Sequence, residues 1–200
     1  MKLYFAPNAC SLAPHIVLHE LALPFDLVLV DNTAKTTANG EDFLQINPKG
    51  YVAALQLDND EVLTEASAIL QYLADLKPAA ELAPANGSWE RVRLQEWLNF
   101  IASEIHGGLA IFFNAAIQGD VRAMFLATLY KRFAILVQTL ESQDYLLGEQ
   151  YSVADTYLFV VLRWADFHDI DLQQWPALAA FQQRIGKRQS VIAALASENP

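Results

Sequence analysis

Residues 2 to 21, KLYFAPNACSLAPHIVLHEL, place the chain's single cysteine between a strand and a helix, and this junction constrains the fold more than any other stretch. Leu3, Tyr4 and Phe5 suit a strand and Pro7 and Asn8 a turn, while Leu12, Ala13, Ile16, Val17 and Leu21 recur at helical spacing. With Ser11 as N-cap, Pro14 falls in the first turn, where a backbone N–H has no intrahelical partner to lose. Cys10 therefore sits at a helix start, where unpaired N–H groups and the helix dipole favour negative charge. A thiolate there, from Cys10 or from a bound ligand, is expected to be stabilised.

Phe25 to Val30 (FDLVLV) reads as a second strand, so the chain opens as a βαβ unit. A polar loop from Asp31 to Glu41 contains Lys35, and a short helical piece around Asp42 to Ile46 leads to a turn at Asn47, Pro48, Lys49 and Gly50. Val52 to Leu57 and Glu61 to Leu63 pair as a hairpin, and Thr64 starts a helix carrying Ile69, Leu70 and Leu73. The order βαβαββα fills residues 1–78. Residues 79–87 lie in KPAAELAPANGS, which has two prolines and no clear period, and are the expected linker.

Residues 88–200 read as all-helical. Ser88 caps a long helix running through Leu109, a second helix runs from about Asp120 to Leu140, and Ser152-Val153-Ala154-Asp155 forms a capping box with Asp in place of the usual Glu. The helix it opens, YLFVVLRWA at 157–165, is apolar enough to be the buried centre of its domain. Pro176 fits the first turn of another helix, and Ser190 the cap of the last.

Charge excludes several functions. A net charge of -10 with no Lys/Arg cluster argues against binding to nucleic acid or an anionic membrane surface. No apolar run is expected to span a membrane and none makes a signal-peptide core, which points to the cytoplasm. One cysteine excludes a disulfide framework or a multi-cysteine metal site. The histidines have no ligand spacing, so neither metal nor bound cofactor is expected.

Five stretches, in this order and spacing, resemble the bacterial beta-class glutathione transferases: NACSLAPHIVLHE at 8–20, NPKGYVAAL at 47–55, LTEASAILQYLAD at 63–75, EWLNFIASEIH at 96–106 and SVADTYLFVVLRW at 152–164. The resemblance covers essentially the whole chain. It implies a thioredoxin-like domain followed by an all-helical bundle domain, and a cytoplasmic homodimer. The implied reaction joins the glutathione thiolate to small hydrophobic electrophiles, with glutathione as co-substrate and no cofactor.

Matched position by position, the resemblance makes Cys10 the cysteine beside the glutathione sulfur, able to form a mixed disulfide with it, and Ser11 a hydrogen-bond donor to that sulfur. Glu65 takes the γ-glutamyl ammonium. Ala66 stands where many relatives have a serine that helps hold the γ-glutamyl carboxylate, leaving the backbone N–H of the helix start for that task. Val52 pairs through its backbone with the cysteinyl unit, although Ala53 replaces the cis proline of relatives. Either the cis bond is kept, at about 2.5–4 kcal/mol, or the loop relaxes to trans. Lys35 pairs with a glutathione carboxylate. Asn99, Ser103 and His106, spaced four and three apart, form a polar strip on one helix face. By resemblance, Asn99 and His106 reach toward glutathione, with His106 near the sulfur. Leu109, Phe112, Phe113 and Trp164 are candidates to line the electrophile cleft.

Two other functions stay open at this point. One is thiol-disulfide or peroxide reduction through a Cys10 mixed disulfide, by a monothiol route. The other is a noncatalytic scaffold, since Ala53 and Ala66 each remove a family contact to glutathione.

Overall fold

The N-terminal strand, turn and helix form where periodicity places them: β1 is Lys2–Phe5 and α1 is Leu12–Glu20. β2, Asp26–Asp31, lies parallel to β1 with Leu3 opposite Leu27 and Phe5 opposite Leu29. The loop expected from 31 to 41 holds an additional short strand, β3, Thr36–Thr37, in which two β-branched residues pair antiparallel with Val30 and Asp31. After α2, Phe43–Ile46, come β4, Ala54–Gln56, and β5, Val62–Thr64. The five strands lie in the order β3-β2-β1-β4-β5. Thr64 ends β5 instead of opening the next helix; α3 is Ala66–Leu76, with Glu65 at its cap position.

The computed structural model describes residues 1 to 198 and falls into two compact units, Met1–Glu81 joined by the chain from Arg188 onward, and Leu82–Lys187. In the first, α1 is enclosed. All residues from Leu12 to Leu18 are buried, Pro14 and His15 included, which is more than one apolar stripe provides.

The last helix, α10, Gln189–Glu198, belongs to this first unit, whereas the sequence assigned residues 88–200 to one helical domain. Its attachment is polar, which an apolar pattern does not reveal. Arg188 and Ser190 both donate to the Glu20 carboxylate, so Ser190 pairs with another helix instead of capping its own. Burial alone would raise the Glu20 pKa, but these bonds outweigh it and hold the carboxyl below its ordinary value. At the far end the buried Glu198 meets the buried His15, Oε1 to Nδ1 at 2.9 Å, and His15 Nε2 meets His19 Nε2 at 3.2 Å.

The second unit is helical. α4, Trp89–Phe100, is capped by Ser88, whose hydroxyl accepts from the Arg91 N–H at 3.1 Å. The helix expected to run unbroken through Leu109 instead widens to a π-helical stretch at Ile101–His106 before α5, Gly107–Ala110. Buried Ile101, Ile105 and Leu109 recur every four residues. A turn of 3.6 residues does not keep that spacing on one line, while a mixture with wider turns does.

α6, Gly119–Leu140, follows, and its 22 residues correct the expectation that no apolar run is long enough to span a membrane. Its Leu129, Phe133, Leu136 and Leu140 are buried in the helical unit at i, i+4, i+7 and i+11, and Arg132 midway along it pairs with Glu104. Every residue of α7, Val153–Leu162, is buried, as its composition predicts. α8, Trp164–Phe167, and α9, Pro176–Gly186, complete the unit, with Pro176 at the helix start. The capping box at Ser152 and Asp155 is present in both directions.

Candidate functional site

The turn before α1 is built from Ser11, but not by capping. Ser11 is fully buried, and its hydroxyl donates to the Ala6 carbonyl and accepts from the Ala6 N–H, both at 3.3 Å. It ties the end of β1 to the helix start and so presents Cys10. The Cys10 Sγ points at the next loop and donates to the Val52 carbonyl at 3.5 Å.

For Cys10 itself, this environment works against the expected thiolate. Burial pushes the Cys10 thiol up to about 11, against smaller opposing effects of hydrogen bonds from the Ala53 and Cys10 backbone, and the Glu65 carboxylate raises it further. A helix dipole supplies about 0.3–1 kcal/mol, less than one pKa unit, so desolvation wins.

The loop facing Cys10 is braced from two sides. Asn47, buried, donates from Nδ2 to the Tyr51 carbonyl at 2.7 Å and accepts from the Lys49 N–H at 3.1 Å. Gly50 sits at φ 72, a left-handed turn that disfavours a side chain. Lys35 donates to the Gly50 carbonyl at 2.7 Å and lies 4.9 Å from the Tyr51 ring centre. These contacts hold Val52 beside Cys10, and the Val52–Ala53 peptide is cis, which decides between the two alternatives left by the sequence.

Glu65 lies near enough to act on the Cys10 thiol, at the head of α3 and with φ 71, a conformation that an L side chain adopts at a cost. Its carboxylate is paired with Lys49 at 2.6 Å. Ala66 is the first residue of α3, where backbone N–H groups lack intrahelical partners and suit an anion. Cys10, Ser11, Lys35, Val52, Glu65 and Ala66 thus belong to one unit, on the ends and loops of its strands and helices.

In the helical unit the predicted strip is less uniform. The Ser103 hydroxyl donates back to the Asn99 carbonyl at 2.9 Å, and Asn99 is exposed at the end of α4. His106 lies at the end of the π-helical stretch, whose wider turn rotates it relative to Ser103. Its Nδ1 is 2.6 Å from the Tyr157 hydroxyl, and its ring stands edge-on to Trp164 at 4.8 Å. Phe113 packs edge-on to Trp164 at 5.3 Å and to His168 at 4.4 Å yet stays 56% exposed, while Leu109, Phe112 and Trp164 are buried.

Sequence reasoning passed over four residues. Asn47 reads as an ordinary turn residue, and Lys49 as a solvated loop lysine. Tyr157 is hidden inside an apolar run, and His15 acquires a partner 183 positions away. Only Asn47 carried a local signal, since Asn braces turns through its own side chain. Among the described residues, no group of three His, Cys, Asp or Glu is placed to hold a metal ion.

Comparison with known proteins bears on the whole chain. The N-terminal domain of the glutathione S-transferase family matches residues 9–76, and its C-terminal domain residues 100–189. Glutathione S-transferase GstA of Escherichia coli O157:H7 is 41% identical over 198 residues, 99% of this chain and 98% of that protein. The structure of a sphingomonad glutathione S-transferase complexed with glutathione is 44% identical with a TM-score of 0.95, covering 99% of this chain and 98% of that one. The bacterial beta-class glutathione S-transferase of Sphingomonas chungbukensis is 43% identical with a TM-score of 0.95, covering 100% and 99%. A five-stranded α/β unit with a cysteine at its first helix start, followed by a helical unit and matched over its full length, places this chain in the glutathione S-transferase family, in the bacterial beta class, as a transferase.

Proposed function

We propose that this enzyme conjugates glutathione to small hydrophobic electrophiles using the glutathione thiolate itself as nucleophile, with Cys10 remaining a thiol. The observation that carries this reading is the Cys10 contact: a partly buried thiol donating to the Val52 carbonyl is engaged as a hydrogen-bonding group, and desolvation raises its pKa against ionisation. Glutathione lies along Val52, with its γ-glutamyl ammonium on Glu65, that group's carboxylate on the N–H groups at Ala66, and its other carboxylate near Lys35. The α1 start favours the glutathione sulfur as an anion, which attacks the electrophile and expels the leaving group as a carbon–sulfur bond forms.

Ser11 holds the turn, its hydroxyl being occupied by Ala6. His106 is held by Tyr157 within the helical unit, and the resemblance alone assigns it, with Asn99 and Ser103, to glutathione. The protein acts as a cytoplasmic homodimer, in keeping with its single cysteine and with the family pattern.

The test is conjugation of glutathione to 1-chloro-2,4-dinitrobenzene by Cys10→Ala. We expect kcat/KM within about tenfold of wild type. A loss beyond about a hundredfold with glutathione binding intact would instead make Cys10 a participant in conjugation and overturn this reading.

A further inference from the structure

Lys49 occupies the carboxylate that the preceding reading assigns to the substrate. Its Nζ donates to Glu65 Oε1 at 2.6 Å and to Thr64 Oγ1 at 2.9 Å. The base of this lysine is fixed, because its backbone N–H is held by buried Asn47, which also holds the Tyr51 carbonyl. Its head is not enclosed: the Lys49 and Glu65 side chains are 54% and 66% exposed. A primary ammonium on a flexible stem, on an anchored loop, therefore lies against the Glu65 carboxylate.

We propose that Lys49 is the resident counter-ion of Glu65, yielding to the ammonium of an arriving γ-glutamyl group and returning to Glu65 as the conjugate leaves. This rests on Glu65 being the ammonium receptor. Two ammonium groups then compete for one carboxylate, so Lys49 weakens binding of any ligand that carries the group. Glutathione and its S-conjugates both carry it, and both are weakened alike. A ligand without the ammonium leaves Lys49 in place and is unaffected. Lys49 thus sets affinity near the useful range and assists product release, a step that limits many enzymes. An exposed ion pair is a modest competitor, and the effect is about two- to fivefold in Kd at low salt.

The experiment is calorimetric titration of wild type and Lys49→Met at low ionic strength with three ligands: glutathione, S-hexylglutathione and the analogue in which a glutaryl group replaces γ-glutamyl. Glutathione and S-hexylglutathione are expected to bind Lys49→Met about two- to fivefold more tightly, with the glutaryl analogue unchanged. In a Glu65→Gln background, Lys49→Met is expected to change nothing. Unchanged or weaker glutathione binding to Lys49→Met overturns the proposal, as does equal tightening of the glutaryl analogue. Glu65→Gln separates the two levels of the argument. If it binds glutathione like wild type, the Glu65 reading itself falls; if it binds weakly while Lys49→Met is neutral, only the role of Lys49 falls.

Discussion

Replacing Asp155 by alanine probes what holds the centre of the helical unit. The Asp155 carboxylate accepts from the Leu146 N–H at 2.8 Å, the Ser152 N–H at 2.9 Å and the Ser152 hydroxyl at 2.8 Å, all buried. In Asp155→Ala the hydroxyl can turn to another acceptor, but two backbone N–H groups are left in the interior at about 1–3 kcal/mol each. The expected loss is about 3–4 kcal/mol at pH 5.

The loss should depend on pH, and its sign follows from the carboxyl. Burial pushes Asp155 up to about 6 against the hydrogen bonds from Leu146 and Ser152, so its folded-state pKa lies above the unfolded value of 3.8. The carboxyl's contribution is then fully present below about pH 4 and is lost as pH rises through about 6. Linkage makes the penalty of the substitution about 1.5 kcal/mol smaller at pH 8 than at pH 5. Urea unfolding of wild type and variant at the two pH values measures both quantities. At pH 5 thermal scans should show a fall of roughly 6–15 °C, since each kcal/mol is worth about 2–4 °C in a chain of this size. A loss under about 1 kcal/mol at pH 5, or one that grows with pH, refutes the reasoning.

Two further outcomes follow from side chains at the ends of α1 and α10 in the first unit. Alkylation of Cys10 by iodoacetamide should be slow at pH 7 and still rising beyond pH 9, because burial holds the thiol near 11; a plateau below pH 9 would show an activated cysteine instead. Glu198→Ala leaves the fully buried His15 without its hydrogen-bond partner at 2.9 Å, and should cost about 1–3 kcal/mol by denaturant unfolding. A change within about 0.5 kcal/mol would mean that α10 is not fastened through this pair.

Local patterns carried much of the fold. Alternation and helical spacing located β1, α1, β2 and the β4–β5 hairpin, and the capping box at Ser152 and Asp155 marked the start of α7. These features depend on neighbours within a few positions, so the order of residues is enough to specify them. The placement of Cys10 at a helix start belongs to the same class, and so does the composition of α7, which is too apolar to lie anywhere but inside.

Tertiary structure decided what the same residues do. The helix start alone suggested a thiolate, from Cys10 or from a ligand, but desolvation against the Val52 loop raises the Cys10 pKa, and desolvation depends on atoms far away in sequence. Ser11 looked like a cap until Ala6 claimed its hydroxyl. α10 looked like part of a helical domain until Glu20 and His15, some 170 and 183 positions distant, supplied its polar partners. Periodicity records which face of an element is apolar. Which polar groups meet across elements, and how much water they keep, is set only when the chain closes on itself.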